Sequence, residues 1–176
     1  MARTAMKKII IIGSGGAGKS TFAKRLGELT GIEVLHLDKL YWQPNWVELP
    51  KDEWKKKLET KLEKDEWIMD GNFGGTLEMR LKYCDTAIFL DLPRTVCVYR
   101  ALKRWIKYYN TNRPDMTVGC NEKVDLEFLG WIWNFPKKKK PKIEEKLKIF
   151  EKEKKIIRLH SPKEVENFFL NFREIK

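Results

Sequence analysis

The chain is poor in cysteine, in acidic charge and in long apolar runs near its start. It has three cysteines, Cys84, Cys97 and Cys120, and no Cys-x-x-Cys spacing. An odd set without that spacing argues against a disulfide framework and a zinc site, and fits a reducing cytoplasm. The apolar run 9–12 is far too short for a secretory core or a membrane span. Acidic residues number 25 against 36 basic ones, a net charge of +11. That balance favours nucleotides, nucleic acid or a membrane surface as partners without choosing among them. No internal repeat is visible.

What is present suits one domain: 176 residues, of which 42% are hydrophobic. Met6 could itself be a start, so residues 1–5 are expected to be a disordered leader before a single domain over 6–176. Strands are expected at 7–12, 32–37, 66–69, 87–90 and 155–159. Helices are expected between them: 20–30, 52–66, 76–81, 95–109, 125–135 and 143–154, with a last one from Ser161-Pro162 to about 173. Residues 38–50 read as irregular and aromatic, and 110–121 as a loop. Strands alternating with helices predict a parallel sheet covered on both faces.

The stretch IIIIGSGGAGKST at 9–21 is the strongest signal. Gly13, Ser14, Gly15, Gly16, Ala17, Gly18, Lys19 and Ser20 fit G-x-x-x-x-G-K-[ST] at every fixed position. Glycines let backbone amides converge, and the helix that follows adds its positive end. Lys19 is placed to reach the β- and γ-phosphates, and the Ser20 hydroxyl to meet Mg²⁺. Thr21 borders the same loop and reads chiefly as a helix-start residue. The guanine-reading Asn-Lys-x-Asp motif is absent, which excludes a switch GTPase of the Ras type.

Further segments extend this reading. They are GSGGAGKSTFAKRLG at 13–27, HLDKLYW at 36–42, WIMDGNFGGT at 67–76, FLDLPR at 89–94, YRALKR at 99–104, RPDM at 113–116 and EFLGWIWNFP at 127–136. On these the chain resembles the nucleoside-monophosphate-kinase-like group of P-loop kinases. Within that group it is similar to the bacterial topology modulation, or adenylate-kinase-related, proteins. The resemblance implies a three-layer α/β/α P-loop NTPase fold with a five-stranded parallel sheet and a small helical lid over about 104–142. It also implies phosphoryl transfer from Mg-ATP to a small acceptor, with ATP and Mg²⁺ bound.

It further implies roles for individual residues. Asp70, in Asp70-Gly71, is the expected metal partner of Ser20; the alternative is an acid that only ends its strand. Asp91, after Ile88-Phe89-Leu90, ranks second for the metal. Arg100 and Arg104 reproduce the spacing that leads into the lid. One helical turn apart, they share a face and suit the spread charge of a transferring phosphoryl group. Their alternative is a solvated basic face. Arg113 is a further lid candidate. His160–Lys163 corresponds to the turn beside adenine, where Ser161 and Glu164 could simply form a capping box.

The acceptor side departs from adenylate kinase. Asp-Gly-Phe-Pro-Arg is replaced by Asp70-Gly71-Asn72-Phe73-Gly74, and no arginine occurs between Arg25 and Arg80. Candidates for the acceptor are Asp38, Asn72 and Arg80, with Gly74 bordering it and Asp38 placed to take a hydroxyl proton. Trp42 and Trp46 either stack on the acceptor or pin an irregular loop with Tyr41. Lys137–Lys142 beside Trp131 and Trp133 reads as a solvated turn, as part of the lid, or as a nucleic-acid surface. A DNA-interacting ATP-binding protein without kinase activity is therefore the second functional expectation. No DNA- or RNA-binding signature supports it.

Overall fold

The computed structural model describes residues 6–122 and 125–173. The leader expected at 1–5 lies outside the described residues. The chain runs β1 (Lys8–Gly13), α1 (Lys19–Thr30), β2 (Val34–His36), α2 (Leu37–Tyr41), β3 (Trp42–Gln43), β4 (Val47–Glu48), α3 (Lys51–Leu62) and β5 (Trp67–Asp70). It continues through α4 (Leu77–Tyr83), β6 (Thr86–Leu90), α5 (Arg94–Tyr108), α6 (Leu126–Lys138), α7 (Lys140–Phe150), β7 (Lys155–Leu159) and α8 (Pro162–Arg173).

Five strands pair in parallel in the order β2-β5-β1-β6-β7. Successive side chains on a strand point to opposite faces. Ile10 and Ile12 accordingly join one cluster, with Trp54 and Leu58 of α3, Leu81 of α4 and Leu147 of α7. Ile9 and Ile11 join the other, with Phe22 and Leu26 of α1, Cys97 of α5, Ile132 of α6 and Phe169 of α8. A strand covered on both faces needs continuous apolar residues, and the isoleucine run supplies them. The result is the three-layer α/β/α P-loop NTPase architecture. Chain crossovers leave β1 flanked by β5 and β6, so a crevice opens at the carboxyl ends of these strands.

Several elements differ from the sequence reading. Residues 38–50 are not simply irregular: they hold α2 and a small antiparallel hairpin of β3 and β4. The hairpin turn places both Asn45 (φ 62°) and Trp46 (φ 60°) in the left-handed region. Helix α3 stops at Leu62, short of the expected 66. The expected break at 137–142 narrows to the junction at Lys139, because Pro136 lies inside α6 and Pro141 opens α7. Proline is tolerated in a first helical turn, where its missing N–H has no partner to lose. Ser161 caps α8 as expected, its Oγ accepting from Glu164 N–H at 3.2 Å, but the Glu164 carboxylate accepts from the His160 N–H at 2.9 Å and the Ser161 hydroxyl at 3.3 Å in place of the Ser161 amide that a capping box uses. Among the described residues, no helix is long and apolar enough to cross a membrane, and all three cysteines are free and buried.

Candidate active site

The loop after β1 turns tightly because Gly16 (φ 72°) and Gly18 (φ 90°) adopt left-handed backbone. A side chain at Gly16 would strike the Cys97 carbonyl, with its Cβ only 2.1 Å from that oxygen. The loop is thus pressed against α5, and residues 15–21 line the crevice, where the unpaired first N–H groups of a helix suit an anion. Lys19 arches back so that Nζ donates to the Ser14 carbonyl at 2.9 Å. Burial pulls its ammonium below the ordinary value, while Asp38 and Asp70 hold it up and Arg104 pushes it further down. Arg100 lies along the same loop, with Nη1 donating to the Ala17 carbonyl at 3.4 Å.

Asp70 is buried at the end of β5 and joins two elements. Its Oδ2 accepts from Ser20 Oγ at 2.8 Å, and its Oδ1 meets His36 Nδ1 at 2.6 Å. Burial would lower the His36 pKa, but the hydrogen bond and the charge of Asp70 outweigh it and the net direction is up. A hydroxyl and a carboxylate are hard oxygen donors, the set that suits Mg²⁺ when phosphates and water complete its shell. Among the described residues no cluster of three or more His, Cys, Asp or Glu could hold a metal by itself. A metal here would depend on the nucleotide.

Asn72, just beyond, fastens β5 to the loop, its Oδ1 accepting from the Gly13 amide at 3.0 Å. Arg80 corrects an expectation. It is fully buried and does not line the cleft. Its guanidinium donates to the Gly71 carbonyl at 3.1 Å, to the Phe73 carbonyl at 3.3 Å and to the Asn72 carbonyl. Burial lowers its pKa to about 10. Arg80 therefore shapes the 71–73 turn from beneath. Gly74 likewise is exposed and outside the cleft, its carbonyl accepting from Lys146.

Asp38 sits in the first turn of α2 and lines a cleft of about 1330 Å³ together with Lys19, Ser20, His36 and Asn72. Burial raises its pKa, Lys19 opposes the shift and the charge of Asp70 adds to it. The aromatic residues divide. Tyr41, Trp54 and Phe73 pack edge-on or tilted at 4.9–5.3 Å and pin the loop. Trp42 and Trp46, 5.5 Å apart and near-perpendicular, line the cleft, as Phe73 also does. Trp46 and Phe73 (φ 34°) both keep positive φ, an arrangement that costs roughly 1 kcal/mol or more each.

The loop after α5 packs onto that hairpin. Residues 109–122 loop out and return, with Asn110 N–H donating to the Glu122 carbonyl and Glu122 N–H to the Thr111 carbonyl. At the tip, Thr117 Oγ1 reaches the carbonyls of Lys39 (3.0 Å) and Trp42 (2.6 Å). Cys120 Sγ donates to the Gln43 carbonyl at 3.2 Å, and Trp46 Nε1 to the Asn121 carbonyl at 3.3 Å. Within this loop, buried Glu122 pairs with Arg104 Nε through one oxygen and Arg113 Nε through the other, each at 3.1 Å. Asp115 lies 3.7 Å from Arg113. Burial and the neighbouring charge of Arg113 both lower the Arg104 pKa, which Glu122 partly restores. Glu122, Asp115, Glu48 and Phe73 line the cleft unforeseen. Asp115 lay within the RPDM segment, but no spacing marked Glu122.

Asp91 turns away from the site: its Oδ2 pairs with Lys140 at 2.6 Å and His160 Nδ1 at 3.1 Å. That corrects its ranking as a second metal candidate and gives His160 a partner. Residues 137–142 do not line the cleft. Apart from Lys140, the lysines there are exposed.

The fold is the three-layer α/β/α P-loop NTPase fold, and the phosphate loop sits where that fold places it. The curated relatives it resembles include the adenylate kinases of Thermotoga petrophila and Thermotoga maritima, each 33% identical over 108 residues. That match covers 60% of this chain and 48% of the relative, so the likeness spans about half the length of those proteins. In fold it is similar to a shikimate kinase from Bacteroides thetaiotaomicron (TM-score 0.53, 16% identity, covering 97% of this chain and 98% of that one). A deoxyadenosine kinase from M. mycoides with bound dATP is similar to the same degree (TM-score 0.53, 16% identity, covering 94% and 98%). No protein-family model matches the chain.

Proposed function

We propose that the protein transfers the γ-phosphoryl group of Mg-ATP to a hydroxyl of a small acceptor. The observation that carries this reading is Asp38. It is a part-buried carboxylate in the same cleft as Lys19 and the phosphate loop, with Trp42 and Trp46 beside it. A protein that only bound ATP would need no second acid and no aromatic wall there.

The loop amides and Lys19 would hold the β- and γ-phosphates. Ser20 and Asp70 would hold Mg²⁺, which would neutralise charge on the phosphate oxygens. Arg100 and Arg104 would face the equatorial oxygens, where negative charge spreads in the transition state. Asp38 would accept the acceptor's hydroxyl proton as the new O–P bond forms and the bond from γ-phosphorus to the β–γ bridging oxygen breaks, releasing ADP. The lid would exclude water that could otherwise take the phosphoryl group.

The test is transfer from γ-labelled ATP to a panel of nucleosides, nucleotides and sugars, with Lys19→Ala as control. Transfer by the parent and none by the variant supports the reading. Tight, salt-dependent DNA binding with no acceptor used would sink it in favour of a DNA-interacting ATP-binding protein.

A further inference from the structure

The acceptor half of the cleft carries the opposite charge balance from the donor half. Asp38, Glu48, Asp115 and Glu122 line the cleft here, with Arg113 and Arg104 the arginines beside them. Glu122 is shared by both arginines, each turning its Nε to it at 3.1 Å, and Arg113 is largely buried with Asp115 on its other side. Arg80, the arginine nearest the β5 turn, faces away and is occupied by three carbonyls. His36 is engaged by Asp70. A phosphate monoester placed here would meet carboxylates, without an arginine fork to offset its dianion.

Three aromatic side chains line the same half: Trp42, Trp46 and Phe73. Two of them stand on left-handed backbone. Such strain persists only where the surroundings impose it: the 109–122 loop holds Trp46 through its Nε1 and the Asn45 N–H, and Arg80 holds the Phe73 carbonyl from beneath. A rigid wall of rings beside a carboxylate suits a flat, apolar-faced molecule with a hydroxyl at one edge.

Building on the kinase reading above, we propose that the acceptor is a phosphate-free heteroaromatic alcohol. Its ring lies against Trp42, Trp46 and Phe73, its hydroxyl points to Asp38, and nucleoside monophosphates are rejected by the surrounding carboxylates. The hydroxyl oxygen gains the γ-phosphorus, its proton passes to Asp38, and ADP leaves.

Calorimetry supplies the first test: ATP is titrated with Mg²⁺, and ribose 5-phosphate, a phosphate monoester without an aromatic ring, is then titrated into protein saturated with Mg-ADP. The expected result is a Kd for the monoester no tighter than about 1 mM, since this half offers it no free arginine fork. Binding tighter than that overturns the proposal. Failure to bind ATP at all removes the kinase reading and this inference together, and so is distinguishable.

The second test is transfer from γ-labelled ATP to adenosine, deoxycytidine and pyridoxine, each against its 5′-phosphate, with shikimate as a non-aromatic alcohol. Expected is use of at least one phosphate-free aromatic member, with kcat/KM at least about tenfold above its phosphorylated partner, and a further loss of about tenfold in Trp42→Ala. Preference for a phosphorylated member or for shikimate overturns the proposal. So does the absence of transfer to every aromatic alcohol by a protein that binds Mg-ATP.

Discussion

The two halves of the cleft are built differently. In the proposed reading, the donor half comes from one short stretch, 13–21, whose backbone would do most of the binding. Asp70 and the α5 arginines are set beside it by the strand order. The acceptor half comes from three separated stretches: α2 with its hairpin, the 71–73 turn, and the lid loop. It works through side chains, and its charges are mostly carboxylate. Backbone amides bind any nucleoside triphosphate tail alike. Side chains drawn from distant segments can be exchanged singly, so specificity resides in the half that is assembled.

Breaking the donor half has the largest effect. Lys19→Ala is expected to lower single-turnover transfer by about a thousandfold or more, as loss of a preorganised charge at the phosphoryl group does. Next comes the joint between halves. Glu122→Gln leaves Arg104 and Arg113 crowded without their shared carboxylate, and urea unfolding should show a loss of about 3 kcal/mol. If stability is unchanged, the ion network is not what holds the lid.

Asp38→Asn probes the acceptor half alone. Transfer should fall by about a hundredfold while ATP affinity measured by calorimetry is retained. The pH profile adds a sign. Asp38 must be deprotonated to take a proton, and burial raises its pKa above the ordinary 3.8. Activity should therefore fall as pH drops through that raised value, and this acid limb should vanish in the variant. A limb that survives unchanged assigns it to another group.

The smallest effect belongs to the clasp. Thr117→Val removes the hydroxyl shared by the Lys39 and Trp42 carbonyls. A cost of about 1 kcal/mol should appear as a several-fold rise in the acceptor's KM with kcat little altered.

Much of the donor half was legible in the sequence because its signals are local. Glycine at 16 and 18 marks left-handed turns, and isoleucine at 9–12 marks a strand covered on both faces. The Ser161 cap on α8 was readable for the same reason. Arg80 shows the limit. Sequence offered it as an acceptor contact, but burial turns its guanidinium onto the carbonyls of 71–73. Asp91 misled in the same way, since its partners Lys140 and His160 lie 49 and 69 residues away. Glu122 carried no signal because its meaning depends on two arginines that only the folded lid brings together.

The sequence by itself determined the layered sheet and a loop able to hold phosphate, because backbone geometry and apolar periodicity act over a few residues. Tertiary structure decided which charged groups face the cleft, and with them the character of the acceptor site. A side chain's direction and charge balance depend on what packs around it, and those neighbours come from distant parts of the chain.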